Sequence, residues 1–403
     1  MKGLYLNALG IATPLGVGKR QVSENLISGS TAGLSQRGDF VKDKQIFLGE
    51  VTHPLPDMPA HLQDFDTRNC RMLILALDEI RDEVDRTIAR FGRGRVAVVL
   101  GTSTSGMEEG EIAFSERLRT GAWPSTFSYA QQETGSAAEF LARYLGLDGV
   151  AYVIATACSS SGKAMAAGRR LIETGVCDAA IVGGCDTLCR LTVNGFASLE
   201  AVSKGRCNPS SANRDGINIG EGAALFVMTP DPGTIGFYGA GETSDAYHIS
   251  APHPRGDGAK AAMNAALQDA ALAPEQIAYL NLHGTATEHN DRAESHAVHD
   301  VFGPNLPCSS TKPMTGHMLG AAAGCETAFL WLTLHPEFGD GRLPPHVWDG
   351  AIDPELSPLN LVPGGASTLL QPGSAMLSNS FAFSGSNIAL ILGRVWRFFG
   401  KAR

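Results

Sequence analysis

Residues 151–163 read AYVIATACSSSGK. Tyr152, Val153 and Ile154 form a short apolar run that reads as a buried strand; small polar residues interrupt it, and Met165, Ala166, Leu171 and Ile172 then recur at helical spacing until Gly175. The segment is therefore strand, turn and helix, with Cys158 at the break. Unpaired backbone N–H groups and the positive end of a helix dipole meet there, and both favour a thiolate over a thiol. The flanking residues Ala155, Thr156, Ala157, Ser159, Ser160 and Ser161 are small, as a tight turn open to a substrate backbone requires. Residues 176–186, VCDAAIVGGCD, supply a second buried strand, so the unit is strand, helix, strand and parallel. Against this stands the plain reading of Cys158 as one more small buried hydrophobe; the other turns of the chain decide between them.

The chain has 403 residues, 43% hydrophobic and 18% charged, enough for one large α/β core or two fused ones. Its glycines cluster at strand ends (Gly101, Gly183, Gly184, Gly284, Gly385), where backbone approaches a ligand closely. A net charge of -9 argues against a general nucleic-acid binder, which needs a cationic surface. Eight cysteines without a C-x-x-C pair point to reduced thiols and a cytoplasmic setting. The apolar start, MKGLYLNALGIATPLG, is interrupted by Asn7, Thr13 and Pro14 and reads as a first strand and loop; no later apolar run is long enough to span a bilayer.

Further along, residues 66–90 have helical periodicity, 95–100 read as a strand running into GTSTSG, and 137–145 as a helix. The second half repeats the first. Residues 277–282 are a strand reaching His283-Gly284-Thr285-Ala286-Thr287, with a helix over 291–302; 307–310 are a strand reaching Thr311-Lys312-Pro313-Met314-Thr315-Gly316-His317, followed by the small-residue helix LGAAAGCETAFLWLTL. Residues 375–380 lead to Ala382-Phe383-Ser384-Gly385, and 388–392 close the chain's last strand. The boundary between the halves falls near 233–236, giving segments 1–235 and 236–403.

Four polar turns at strand ends thus offer Cys158, His283, Lys312 with His317, and the Phe383 backbone, and strand carboxyl ends are where ligands bind in such sheets. One cysteine with two histidines suits acyl-thioester chemistry: sulfur attacks a carbonyl, and imidazoles and backbone N–H groups hold developing oxyanions. His296 and His299, at i and i+3, lack a third ligand and read as a solvated helix face, so no metal site is expected.

ATACSSSGKA, NLHGTATEHNDRAE, SSTKPMTGHMLGAAAG and NSFAFSGSN, in this order, together with LGIATPLG, GINIGEGAALFVM and SDAYHISAPHPRGDG, closely resemble the β-ketoacyl-acyl-carrier-protein synthases of the thiolase superfamily. The resemblance implies a thiolase-like α/β fold of two similar βαβ-rich halves in α-β-α-β-α layers, and decarboxylative condensation of malonyl-carrier with an acyl chain on Cys158. It implies catalytic roles for His283, His317 and Lys312, an oxyanion hole from the N–H groups of Cys158 and Phe383, pantetheine contacts from Thr285 and Thr287, and Glu294 as a supporting partner. No tightly bound cofactor is implied, since phosphopantetheine arrives on the acyl carrier protein. Arg68, Arg71 and Arg206 are the implied carrier-docking residues, and a homodimer or ketosynthase heterodimer the implied assembly. Ala382-Phe383-Ser384-Gly385 departs from the Gly-Phe-Gly-Gly of many relatives, which should stiffen that loop. Arg206-Cys207-Asn208-Pro209 departs from Arg-Pro-Phe-Asp and, with HGTAT and AFSG, leans toward aryl-polyene-type pathways. Two alternatives stand beside this reading: a non-catalytic chain-length-factor-like partner, which would ordinarily lack the nucleophile, and a non-decarboxylating thiolase-like acyltransferase, which would ordinarily use a second cysteine near the chain end.

Overall fold

The computed structural model describes residues 3–368 and 371–395. In the first half the strands are β1 (Leu4–Thr13), β2 (Gly16–Val17), β3 (Leu34–Arg37), β4 (Ile46–Gly49), β5 (Val96–Gly101), β6 (Ala151–Ile154), β7 (Ala179–Asp186), β8 (Ile219–Gly220) and β9 (Gly222–Thr229). The second half adds β10 (Ile235–Ser244), β11 (Ile277–Asn281), β12 (Pro307–Ser309), β13 (Asn360–Leu361), β14 (Ala375–Phe381) and β15 (Ser386–Arg394). The helices are α1 (Lys19–Ile27), α2 (Arg68–Asp78), α3 (Arg81–Phe91), α4 (Met107–Thr120), α5 (Ser136–Leu145), α6 (Ser160–Glu173), α7 (Arg190–Ser198), α8 (Asp257–Ala270), α9 (Glu288–Phe302), α10 (Lys312–Thr315) and α11 (Ala322–Leu334).

The repeat legible in the sequence is a repeat of topology. The first half orders its strands β6-β5-β7-β9-β1 and the second β12-β11-β14-β15-β10, with β13 beyond β12. In each, three parallel strands are followed by two antiparallel ones. The halves join where β1 pairs antiparallel with β10, Leu4 opposite Phe237 and Tyr5 opposite Gly236. Short strands β3, β4 and β8 form a separate small sheet.

Helices α6 and α11 lie between the two halves. α11 packs on β1, β7 and β9 of one half and on β14 and β15 of the other, while α6 packs on β5, β7 and β15. Every residue of α11 is buried, which is why its sequence is apolar on all sides. Outside, α2 and α5 cover the first half and α8 covers the second, with α9 packed against α8. The layers are α-β-α-β-α, as the resemblance implies.

Close helix-to-sheet approach sets the small residues. A Cβ on Gly101 would fall 2.1 Å from the Ser161 nitrogen, so the start of α6 rests directly on the end of β5.

Two local expectations change. Residues 66–90 form two helices: α2, whose Thr67 cap accepts the Cys70 N–H at 3.0 Å, and α3, divided from α2 at Ile80 with φ -129°. β6 is an edge strand, with Ala151 exposed and Tyr152, Val153 and Ile154 half-buried, where a buried strand was expected. β6 and β7 are parallel, as the strand-helix-strand unit predicts, with β5 between them. Among the described residues no helix is long and apolar enough to cross a membrane.

Candidate active site

The turn between β6 and α6 is built by its own small residues. Ala157 takes φ 50°, in the left-handed region, and carries Cys158 to the base of the helix. Ser160 Oγ accepts the Thr156 N–H at 2.9 Å, Ser159 Oγ donates to the Thr156 carbonyl at 2.8 Å, and Ser161 Oγ accepts the Gly324 N–H at 2.8 Å, tying α6 to α11. These hydroxyls satisfy backbone groups of the turn and of α11.

Residues far apart in sequence meet at the Cys158 sulfur. His317 Nε2 lies 3.0 Å from Sγ. Its Nδ1 accepts the Leu319 N–H at 3.2 Å, so the neutral ring carries its hydrogen on Nε2 and donates it toward the sulfur. The His283 ring stands edge-on to His317, centroids 5.3 Å apart at 83°. Burial, followed by the Lys312 cation, holds both imidazoles well below the ordinary histidine range, so both are neutral.

Lys312 is 1% exposed, and its Nζ donates to Glu326 Oε1 at 2.5 Å and to the His283 carbonyl. Glu326, the one charged side chain of α11, is equally buried and supplies the counter-charge. Glu294 Oε1 and Oε2 accept the N–H groups of His283 (2.8 Å) and Gly284 (2.7 Å). Burial pushes the Glu294 carboxyl up to about 7, against the pull of those two N–H groups.

For Cys158 the expectation of a thiolate is corrected. Burial pushes the thiol up to about 11; Lys312 and the N–H groups of Cys158 and Phe383 pull it down by less. The thiol is neutral at rest, and its sulfur faces the two N–H groups that the resemblance marks as an oxyanion hole.

Cys158, His283 and His317 line a cavity of about 210 Å³ together with Thr285, Thr287, Phe196, Leu199, Ile217, Phe381 and Phe383. The walls are apolar apart from the histidines and a few other polar groups, including the paired hydroxyls of Thr285 and Thr287, 2.9 Å apart. The Phe383 ring packs tilted against Phe196, centroids 5.6 Å apart at 40°, and the next residue, Ser384, is held at φ 68° with its N–H on the Ile249 carbonyl at 2.7 Å.

The family models Beta-ketoacyl synthase, N-terminal domain and Beta-ketoacyl synthase, C-terminal domain match residues 6–232 and 236–347. The chain belongs to the beta-ketoacyl synthase family. A 3-oxoacyl-[acyl-carrier-protein] synthase 2 from Synechocystis is 30% identical over 96% of this chain and 97% of its own length. Among solved structures, a chain from the complex of ketosynthase (ApeO) with its chain length factor (ApeC) from Xenorhabdus doucetiae superposes with a TM-score of 0.93 at 45% identity, covering 98% of each chain. The ishigamide ketosynthase/chain length factor gives 0.88 at 26% identity, over 98% of this chain and 100% of that one.

The arginines of this ketosynthase are placed unevenly. Arg68 is bonded to Glu221 through Nε (3.0 Å) and Nη2 (2.5 Å) and to the Val51 carbonyl, and Arg71 is bonded to both oxygens of Asp66 at 2.6 and 2.8 Å. Arg206 is exposed and has no ion pair among the described residues. His296 and His299 are half-buried, not a solvated face: they anchor the loop before β13 through Ser357 (2.8 Å) and the Pro358 carbonyl (3.2 Å).

Donor atoms of Cys158, His283 and His317 lie within 4.8 Å of one another, a spacing a metal ion accepts. The His317 tautomer does not fit one. Metal binding at Nε2 would move the hydrogen to Nδ1, against the Leu319 N–H, and would add a cation beside Lys312.

Besides Glu326, two supports escaped the sequence reading. Asp186 Oδ1 accepts from Thr102, Ser103 and Thr104, and Oδ2 accepts the Ala321 N–H at 3.1 Å, fixing the turn after β5 to the start of α11. Asp291 accepts the Ser210 N–H at 2.7 Å and the Ala286 N–H at 3.2 Å. The signal for both was a carboxylate next to a small-residue turn, which is too common to single out.

Proposed function

We propose that the chain is a 3-oxoacyl-carrier-protein synthase in which Cys158 holds the growing acyl chain and His283 and His317 drive decarboxylation of a malonyl thioester. The observation that carries this is the His317 Nε2–H aimed at a sulfur that two backbone N–H groups also face. In the first half-reaction Cys158 sulfur attacks the acyl carbonyl; the oxyanion sits on the Cys158 and Phe383 N–H groups, the carrier C–S bond breaks, and the Cys158 proton leaves on the carrier thiol. In the second, malonyl-carrier loses CO₂ and the enolate oxygen accepts hydrogen bonds from the neutral imidazoles. The enolate carbon then attacks the acyl-cysteine carbonyl, the C–C bond forms, the C–S bond to Cys158 breaks, and the departing sulfur takes a proton from water to return to the thiol. Burial, helped by Lys312, keeps both imidazoles uncharged, so that they act as donors. Thr285 and Thr287 would take the pantetheine arm along the cavity wall.

The partner reading is an acyl carrier protein together with a second subunit of the same fold. β6 ends its sheet with a free backbone edge, and Phe114, Trp123 and Val150 are 54%, 46% and 40% exposed. Likeness to a ketosynthase solved with its chain length factor supports a heterodimer of the aryl-polyene type. Eight unpaired, buried cysteines support the cytoplasm. The nucleophile and both histidines argue for the catalytic subunit over a chain-length-factor-like one.

The test is intact-mass analysis after incubation with a panel of acyl-carriers, followed by malonyl-carrier. An acyl adduct on Cys158, consumed with CO₂ release and a product two carbons longer, is expected. An adduct formed and then merely hydrolysed would overturn the condensing role.

A further inference from the structure

His346, in the connection between α11 and β13, is 5% exposed, and both ring nitrogens are engaged. Nδ1 accepts the Ser310 N–H at 3.1 Å, and Nε2 donates to the Pro209 carbonyl at 2.9 Å. A backbone N–H only donates and a carbonyl only accepts, so these partners require the neutral ring with its hydrogen on Nε2.

Ser310 is fully buried between the two turns that carry the catalytic side chains. Its hydroxyl donates to the Gly284 carbonyl at 2.7 Å and accepts the Lys312 N–H at 3.3 Å. The fit is close: Gly284 has φ +44°, and a Cβ there would lie 2.5 Å from Ser310 Cβ. On the other side of His346, the residue after Pro209 donates to Asp291, which accepts the Ala286 N–H. The hydrogen bonds close a ring from His346 through Asp291 and the 284–286 backbone to Ser310 and back.

We propose that His346 is a positioning residue for the decarboxylation step: by accepting the Ser310 N–H it fixes the hydroxyl that spaces the His283 turn from the Lys312 turn. The proposal rests on the roles given above to His283 and Lys312.

His346→Asn puts a carbonyl oxygen where Nδ1 stands and keeps the Ser310 bond; His346→Gln reaches the Nε2 position and keeps the Pro209 bond. Each loses one buried hydrogen bond, so a merely structural role would affect them alike. CO₂ release from malonyl-carrier is expected to stay within about threefold of wild type in His346→Asn and to fall about tenfold or more in His346→Gln, as small misplacements of reacting groups do. Acylation of Cys158 by a small thioester should be unchanged in His346→Asn and should fall far less than CO₂ release in His346→Gln. Equal CO₂ rates, or acylation falling in parallel, would overturn the proposal. Ser310→Ala serves if His346→Gln fails to fold: a loss of the same size is expected, and an unchanged rate would refute the link. If wild type itself releases no CO₂, the function proposed above fails and the alkylation profile of Cys158 tests His346 instead. A displaced Lys312 should move that profile to higher pH in His346→Gln and not in His346→Asn, and identical profiles would overturn the proposal.

Discussion

Lys312→Met removes the cation from a pair in which both side chains are 1% exposed and 2.5 Å apart. Deleting one member of a buried pair typically costs about 3–5 kcal/mol, because the other is left uncompensated. At about 2.1 cal/mol/K per residue, a chain of 403 residues loses about 4–6 °C in Tm for that amount. The loss should depend on pH. Burial already raises the Glu326 carboxyl, and Lys312 is the main group pulling it down, so in the variant its folded-state pKa climbs further. A carboxyl whose folded pKa exceeds its unfolded value of about 4.3 loses stabilisation as pH rises toward the folded pKa. The Tm deficit should therefore be smallest near pH 5 and grow toward pH 8. Adding Glu326→Leu removes the stranded charge and should recover most of the deficit, since apolar replacements of buried pairs are often neutral. Decarboxylation should stay lost in both variants. Thermal unfolding across this pH range, followed by circular dichroism, makes the measurement. A deficit flat in pH, or a double variant no more stable than Lys312→Met, would refute the pairing argument.

With the Cys158 thiol pushed up to about 11, alkylation by iodoacetamide should accelerate about tenfold per pH unit between pH 7 and 10, and a plateau below pH 8 would mean the thiolate is already formed. Cys158→Ala should abolish acyl-enzyme in intact-mass spectra; a persisting adduct would place the nucleophile elsewhere. His283→Ala and His317→Ala should still acylate at Cys158, through the Cys158 and Phe383 N–H groups, while losing about a hundredfold or more in CO₂ release; wild-type release in both would remove the enolate role. Arg206→Glu should weaken carrier-dependent turnover in a salt-sensitive way, screened over about 8 Å, and leave small-thioester acylation untouched. Arg68→Glu should instead lower stability, by about 3–5 kcal/mol, because it faces the buried Glu221; normal stability with lost carrier turnover would return Arg68 to the docking surface.

The alternation of apolar strands with polar turns made the doubled α/β architecture readable, since each strand end carries its chemistry in consecutive residues: Cys158 after β6, His283 after β11, Lys312 after β12. Local pattern could not show which strands lie at an edge. β6 reads as apolar as β5, and only the sheet order leaves it half-buried.

By itself, then, the sequence determined the strand-turn-helix units, the duplication, and the residues that present sulfur, imidazole and ammonium, because these depend on neighbours along the chain. The tertiary structure decided their states. Cys158 is a thiol because the packed layers remove water from it, and His317 is a donor because Leu319 occupies its other nitrogen. Lys312 meets its carboxylate partner from inside an apolar helix. Ionisation and tautomer follow from burial and from distances between residues as remote as 158 and 317, and those exist only once the two halves have closed on α6 and α11.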